Sequence, residues 1–360
     1  MGRSLRIALA LAASMVFGLC PASDAPPMIG VYYYPGWRDN VLGNHALRPW
    51  ENIKPYPERE PLLGFYNEGD VSVMDRQLGW MAEAGLQFVA FDWYWNDQLG
   101  ALQTHALEAY FRARNRSSVK FTLLWANHDK FPQSQAEFEK MVRFWLYYFR
   151  RPEFLTVEGK PVVFVFSTAH LEERARSFRA QTPGMLEAAR AIARQAGFAG
   201  IYFVGGTGAH GHAVAHHADP ATGGYDAFSA YNYHGPGTYR YEGNRQESRS
   251  FVELDQGYRD HWQWMTSNSR APYILPMTSG WDRRPWGGSA DPLHDNSLAT
   301  AGEFEAHLRA ARALMDSRPG KTLRMGVICC WNEFGEGSFI EPTKRRGNEL
   351  LERVRAVFGR

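Results

Sequence analysis

Eight short apolar or aromatic runs, most of them separated by stretches of helical periodicity, constrain this chain more than any other feature. The runs occupy 29–34, 87–91, 120–125, 162–166, 201–204, 227–231, 273–277 and 325–330, each of strand length. At 73–84, 102–114, 135–148, 183–195, 251–266, 301–315 and 349–358, apolar residues recur at three- and four-residue steps, the period that gives a helix one buried face. Strand and helix in alternation imply a parallel sheet of class α/β. Eight such units closing on themselves make a (β/α)8 TIM barrel, a single domain with long loops after its strands. A doubly wound open sheet is the alternative. The unit after 201–204 is the weakest, because 209–218 is His-rich and barely periodic.

The first residues stand outside that pattern. Arg3 and Arg6 begin a basic start, 7–19 is an apolar core, and Cys20-Pro-Ala22 is a small-residue exit, together resembling a secretory signal peptide. Residues 1–22 are therefore read as a leader with cleavage after Ala22, and 23–360 as the catalytic barrel of an exported, periplasmic or extracellular, protein. A lipoprotein anchor at Cys20 is disfavoured by Leu19, which stands where a small residue is wanted. No later apolar run approaches the ~20 residues of a membrane span, so no stable insertion is expected once the leader is removed.

The formal net charge of +2 and the absence of a dense basic run beyond Lys344-Arg-Arg346 argue against a nucleic-acid partner. Of the three cysteines, Cys20 leaves with the leader, while the adjacent Cys329 and Cys330 are expected to face opposite sides of a strand and to stay unpaired.

A barrel of this kind carries its chemistry on the loops that follow the strands. Those loops are rich in aromatic rings beside polar groups: Tyr34 and Trp37 after the first run, Asp92 and Trp95 after the second, Trp125, Asn127 and His128 after the third. Tyr231 and Tyr233 follow the sixth, Trp281, Asp282 and Arg284 the seventh, and Trp331 the eighth. Flat pyranose faces stack on Trp and Tyr while sugar hydroxyls need polar partners, so these residues are candidate contacts to an oligo- or polysaccharide. Core packing is the competing reading for each tryptophan, a structural hydrogen bond for Asp92, and a salt-bridging anchor for Arg284.

Two carboxylates follow the last run. Glu333 and Glu336 are three apart, so a helical turn would put them on one face. Such a pair suits glycosidic cleavage, in which one carboxyl protonates the leaving oxygen and the second assists at the sugar. Neither a metal nor another cofactor is expected. His210, His212, His216 and His217 lie close together, but no Cys is near and their segment has no clear pattern. Gly205-Gly-Thr-Gly208 lacks the Lys-Ser/Thr of a phosphate loop and reads as a turn that needs small residues.

With these residues in view, the chain resembles glycoside hydrolase family 99, the endo-α-mannosidase and endo-α-mannanase family, and is similar to the related WbsX-type domains often labelled glycosyltransferases. The similarity runs from Val31-Tyr-Tyr-Tyr-Pro-Gly-Trp37 through 61–70, Phe91-Asp-Trp-Tyr-Trp95, Tyr231-Asn-Tyr233 and Gly280-Trp-Asp-Arg-Arg-Pro-Trp286. It ends on Trp331-Asn-Glu-Phe-Gly-Glu-Gly-Ser-Phe-Ile-Glu-Pro342. The resemblance implies that Glu336 is the general acid/base and that Glu333 draws the proton from a sugar 2-hydroxyl, with retention through a 1,2-anhydro sugar. Hydrolases of that family carry Trp-His between the two glutamates, whereas this chain carries Phe334-Gly335.

Overall fold

Each of the eight runs forms a strand in the computed structural model, which describes residues 26–42, 44, 46–128, 131–208, 223–233 and 241–359. The expected leader at 1–22 and the four clustered histidines lie outside the described residues. The barrel strands are β1 (Met28–Tyr33), β2 (Phe88–Asn96), β3 (Lys120–Trp125), β4 (Lys160–Val165), β5 (Tyr202–Gly206), β6 (Ala227–Ser229), β7 (Leu275–Thr278) and β8 (Met325–Cys329). Neighbours pair in parallel in chain order from β1 to β6, and β8 lies between β1 and β7. A parallel bridge between Phe228 and Tyr273 closes the ring, with Ile274 N donating to Phe228 O at 2.8 Å. Closure removes the exposed sheet edges that an open sheet would leave.

The longer helices are α1 (Val71–Glu83), α2 (His105–Arg112), α3 (Gln135–Phe149), α4 (Thr168–Ser177), α5 (Thr182–Gln195), α6 (Phe251–Asn268), α7 (Ala301–Ser317) and α8 (Glu349–Phe358). Of these, α4 was not expected from periodicity. It buries only Thr168, Leu171 and Ala175, too sparse a stripe to read, and starts because Ser167 Oγ accepts from His170 N at 3.2 Å. The beginning of α2 also moves, since Gly100–Leu102 folds back antiparallel on Tyr94, Trp95 and Asn96.

Period-two alternation divides the apolar side chains into two layers. Ile29, Val31 and Tyr33 of β1 pack outward in the strand–helix core, while Tyr32 points inward with Phe88, Leu124, Phe164, Val204 and Val327. Gly30 is required at the crowded interior, because a Cβ there would lie 2.2 Å from the Phe88 ring. Gly206 has a similar cause: a Cβ would meet Phe166 O at 2.1 Å, so this glycine serves close packing at the end of β5. Cys329 and Cys330 correct an expectation. They are joined to each other as a vicinal disulfide across a cis peptide bond, which brings both side chains into the barrel interior. Among the described residues no helix is long and apolar enough to cross a membrane.

Trp125 illustrates the outer layer, packed on Phe131, Phe138 and Trp145 with no exposed surface. Trp125→Ala is expected to destabilise the fold by about 3–5 kcal/mol through lost burial and the cavity left behind, measured by urea unfolding.

Candidate functional site

The chain leaves β8 through Trp331, whose N–H donates to Tyr32 O at 2.7 Å, and enters a tight hairpin. Its arms, Asn332–Glu333 and Ser338–Phe339, pair antiparallel. The two glutamates thus come together on a hairpin and its turn, not on the helical turn expected. Gly337 takes a left-handed φ of 74°, and a Cβ there would lie 2.8 Å from Asp282 N.

Three sets of contacts hold the hairpin. The Asn332 carboxamide accepts from Tyr34 N and donates to Tyr34 O, both at 2.9 Å, and Asn332 O accepts from Trp37 Nε1 at 2.8 Å. Arg59, 1% exposed, donates to Phe334 O at 2.7 Å and Asp282 O at 3.0 Å and pairs with the Asp282 carboxylate, which also takes Arg284. Burial raises the Asp282 carboxyl, but its Arg284 hydrogen bond and the Arg59 charge together hold it below the usual carboxylate range. Behind the hairpin, Glu341 accepts from Tyr66 Oη at 2.6 Å and Gln77 Nε2 at 3.0 Å, while Glu68 accepts from Trp37 N at 2.8 Å and meets His105 at 2.6 Å.

In front of the hairpin lies a cavity of about 130 Å3 lined by Tyr34, Asp92, Tyr94, His128, Phe166, Tyr231, Asn232, Glu333 and Glu336. A larger hollow of about 590 Å3, lined by Arg59, Gly337 and Phe339 among others, includes neither glutamate. Within the smaller cavity, Tyr231 Oη is 3.0 Å from Glu333 Oε1 and 3.2 Å from Asp92 Oδ2, and His128 stacks on Phe166 with centroids 4.0 Å apart. Burial pushes the Glu333 carboxyl well above its ordinary range, reinforced by the charges of Glu336 and Asp92 and opposed by the Tyr231 hydrogen bond. Glu336 is pushed up to about 7 by burial, with the Arg283 charge acting in the other direction. Asp92 is also driven well above its ordinary range by burial. Acidic groups this close and this dry do not all ionise together near neutral pH.

Of the sequence-predicted residues, the structure gathers Tyr34, Asp92, His128, Tyr231, Glu333 and Glu336 around this cavity. The others line it nowhere, and each has a packing reason. Trp37 stacks on Trp50 at 4.3 Å and Trp286 at 6.0 Å. Trp95 is on the strand face opposite Asp92 and Tyr94, against Trp93 and Phe144, and Trp125 is in the outer core. Asn127 binds Ser167 N and O, both at 2.8 Å, which anchors one loop to the next. Tyr233 meets the hydroxyls of Tyr273 and Thr207. Trp281 stacks on His294 and donates to Ser289 Oγ at 2.9 Å, Asp282 and Arg284 join the Arg59 pair, and Trp331 is fully buried.

Tyr94, Phe166 and Asn232 are the cavity residues that sequence reasoning missed. Tyr94 was within reach of period-two reasoning, being two residues beyond Asp92 on an extended strand. Phe166 and Asn232 carried no comparable signal. Gly335 has its own cause: a Cβ there would lie 1.8 Å from Trp286 Nε1, so Trp286 fills the space that a side chain between the glutamates would need. Among the described residues no group of three His, Cys, Asp or Glu side chains could hold a metal ion.

Fold and site together define a (β/α)8 barrel that opens a carboxyl-lined, aromatic cavity at the C-terminal ends of its strands. Residues 54–354 match the family model described as "Glycosyltransferase WbsX", and the chain belongs to that family. Among solved structures it is similar to a "Glycoside hydrolase-like protein" (TM-score 0.66, 14% identity, 94% of this chain and 97% of that one). It is also similar to the GH99 endo-alpha-mannosidase from Bacteroides thetaiotaomicron (TM-score 0.59, 16% identity, 91% and 95%). A beta-glucosidase from Thermotoga maritima shares the fold more distantly (TM-score 0.54, 8% identity, 92% and 97%). No curated protein sequence matches the chain. These likenesses agree with the resemblance to family 99 and the WbsX-type domains and, at such identities, speak to fold.

Asp282→Ala is expected to cost about 3–5 kcal/mol, because it leaves the Arg59 guanidinium buried without its carboxylate. Chemical denaturation measures the loss, which should exceed that of Arg284→Ala, since the Arg284 side chain is 52% exposed.

Proposed function

We propose that this protein is an exported retaining glycoside hydrolase that cleaves an α-linked glycan, mannan-like or bacterial polysaccharide, with Glu336 as general acid/base and Glu333 as the base on the sugar 2-hydroxyl. The observation that carries the reading is the pairing of buried Glu333 with half-buried Glu336 in one aromatic-walled cavity. The role of each glutamate follows the family 99 resemblance, and export rests on the sequence of residues 1–22.

The chemistry balances with these two groups alone. Glu336 gives its proton to the glycosidic oxygen as the C1–O bond breaks, while Glu333 takes the 2-hydroxyl proton and O2 bonds to C1. Glu336, now ionised, takes a proton from water as the water oxygen attacks C1. The C1–O2 bond opens, and O2 recovers the proton held by Glu333. Two inversions at C1 give net retention, and both carboxyls return to their starting states. Tyr34, Tyr94 and Phe166 supply ring faces, and His128 and Asn232 supply polar contacts for hydroxyls.

Glu336→Gln is expected to lower kcat by about 10²–10⁴-fold while oligosaccharide binding persists. A reducing-end assay on α-mannans, α-glucans and bacterial exopolysaccharides reads the rate, and near-normal turnover in that variant would remove the assignment. Because the acid must be protonated to donate, kcat/KM should fall as pH rises through about 7. The family description favours a second reading, glycosyl transfer. Product formed only with a nucleotide sugar and an acceptor, and no hydrolysis, would select it.

A further inference from the structure

One hydroxyl proton at the cavity floor faces two carboxyl oxygens. Tyr231 Oη is 3.0 Å from Glu333 Oε1 and 3.2 Å from Asp92 Oδ2, and a phenol donates only once while its oxygen can still accept. Were both carboxyls ionised, one contact would set lone pairs against lone pairs in a buried site. Both contacts are satisfied when one carboxyl carries a proton and donates it to Tyr231, which donates in turn to the other.

The surroundings select which carboxyl that is. Asp92 Oδ1 is buried and has no hydrogen-bond partner among the described residues, whereas neither Glu333 oxygen is in that position. A negative charge is therefore better accommodated on Glu333. The groups facing Asp92 are Tyr231, Glu333, Glu336, Tyr34, Tyr94 and His128, and the Arg283 cation acts on Glu336 instead.

We propose that Asp92 is a positioning residue that stays protonated, donates through Oδ2–H to Tyr231, and so turns the Tyr231 proton toward Glu333, leaving the trio's single negative charge on the base. The role rests on Glu333 being that base. In the resting site the trio holds two protons, one on Asp92 and one on Tyr231. Uptake of the sugar 2-hydroxyl proton by Glu333 makes it neutral, and return of that proton restores the charge. A shift of both resident protons along the two hydrogen bonds yields ionised Asp92 and protonated Glu333, which cannot act as a base; the dry Oδ1 disfavours it.

The test needs no substrate. Infrared difference spectra at pH 7 between the parent and Asp92→Asn should show loss of a protonated-carboxyl carbonyl band, other buried acids cancelling. In Tyr231→Phe the same band should persist but shift, because its acceptor is gone. Loss of a carboxylate band instead would show Asp92 ionised and overturn the proposal, whether or not a glycosidase activity is found. If Asp92→Asn does not fold, the Tyr231→Phe spectrum decides by the same criterion. Where a substrate is in hand, the acid limb of kcat/KM should stay where it is in Asp92→Asn, since a neutral Asn N–H replaces a neutral carboxyl as donor to Tyr231 and no charge beside Glu333 is lost. A limb moved down by about one pH unit, as removal of a negative charge would give, would show Asp92 ionised and overturn the proposal.

Discussion

The two hydrogen bonds that the Asn332 carboxamide exchanges with the Tyr34 backbone tie the exit of the last strand to the exit of the first. Strands that close a barrel bring these exits together, but closure alone leaves the loops free to diverge. The carboxamide matches a backbone N–H and C=O at once, so it fixes the direction in which the chain leaves β8, and Glu333 is the next residue along. Trp37 adds a third bond, its indole N–H donating to the Asn332 main-chain carbonyl. Its stacking between Trp50 and Trp286 makes the indole a brace for the hairpin.

A second constraint is electrostatic. Crowding Asp92, Glu333 and Glu336 around one small cavity is unfavourable for three ionised carboxyls at once, and the fold tolerates it by letting some of their protons remain bound. The neighbouring charges that must stay ionised are treated differently. Asp282 is surrounded by two guanidinium groups, and Arg59 Nη1 donates to the Phe334 and Asp282 carbonyls. One acidic set is thus left proton-hungry at the cavity while another is neutralised beneath the hairpin. That contrast separates groups available for chemistry from groups that hold the frame.

Aromatic residues show how strand periodicity sorts function from packing. Trp93 and Trp95 alternate with Asp92 and Tyr94 along β2, and only the second pair faces the cavity. The walls are therefore the rings of Tyr34, Tyr94, Tyr231 and Phe166, and the tryptophans at the strand ends serve the core or the loops. Large rings at the mouth of a barrel find more contact area between strands and helices than across a cavity of this size.

Local sequence determined the barrel of this protein: the apolar runs and their helical spacers recur with periods that only strand and helix satisfy, and eight of them leave few ways to bury both faces of a sheet. It also marked Glu333 and Glu336, because two acids directly after an apolar run have no packing role. Tertiary structure alone decided that these acids share a hairpin and its turn, that the two adjacent cysteines pair, that Asp282 and Arg284 belong to Arg59, and that Phe166 and Asn232 complete the cavity. Those outcomes depend on partners distant in the chain, such as Arg59 with Phe334 or Asp92 with Tyr231, and no local period encodes which of two faces a residue will share with them.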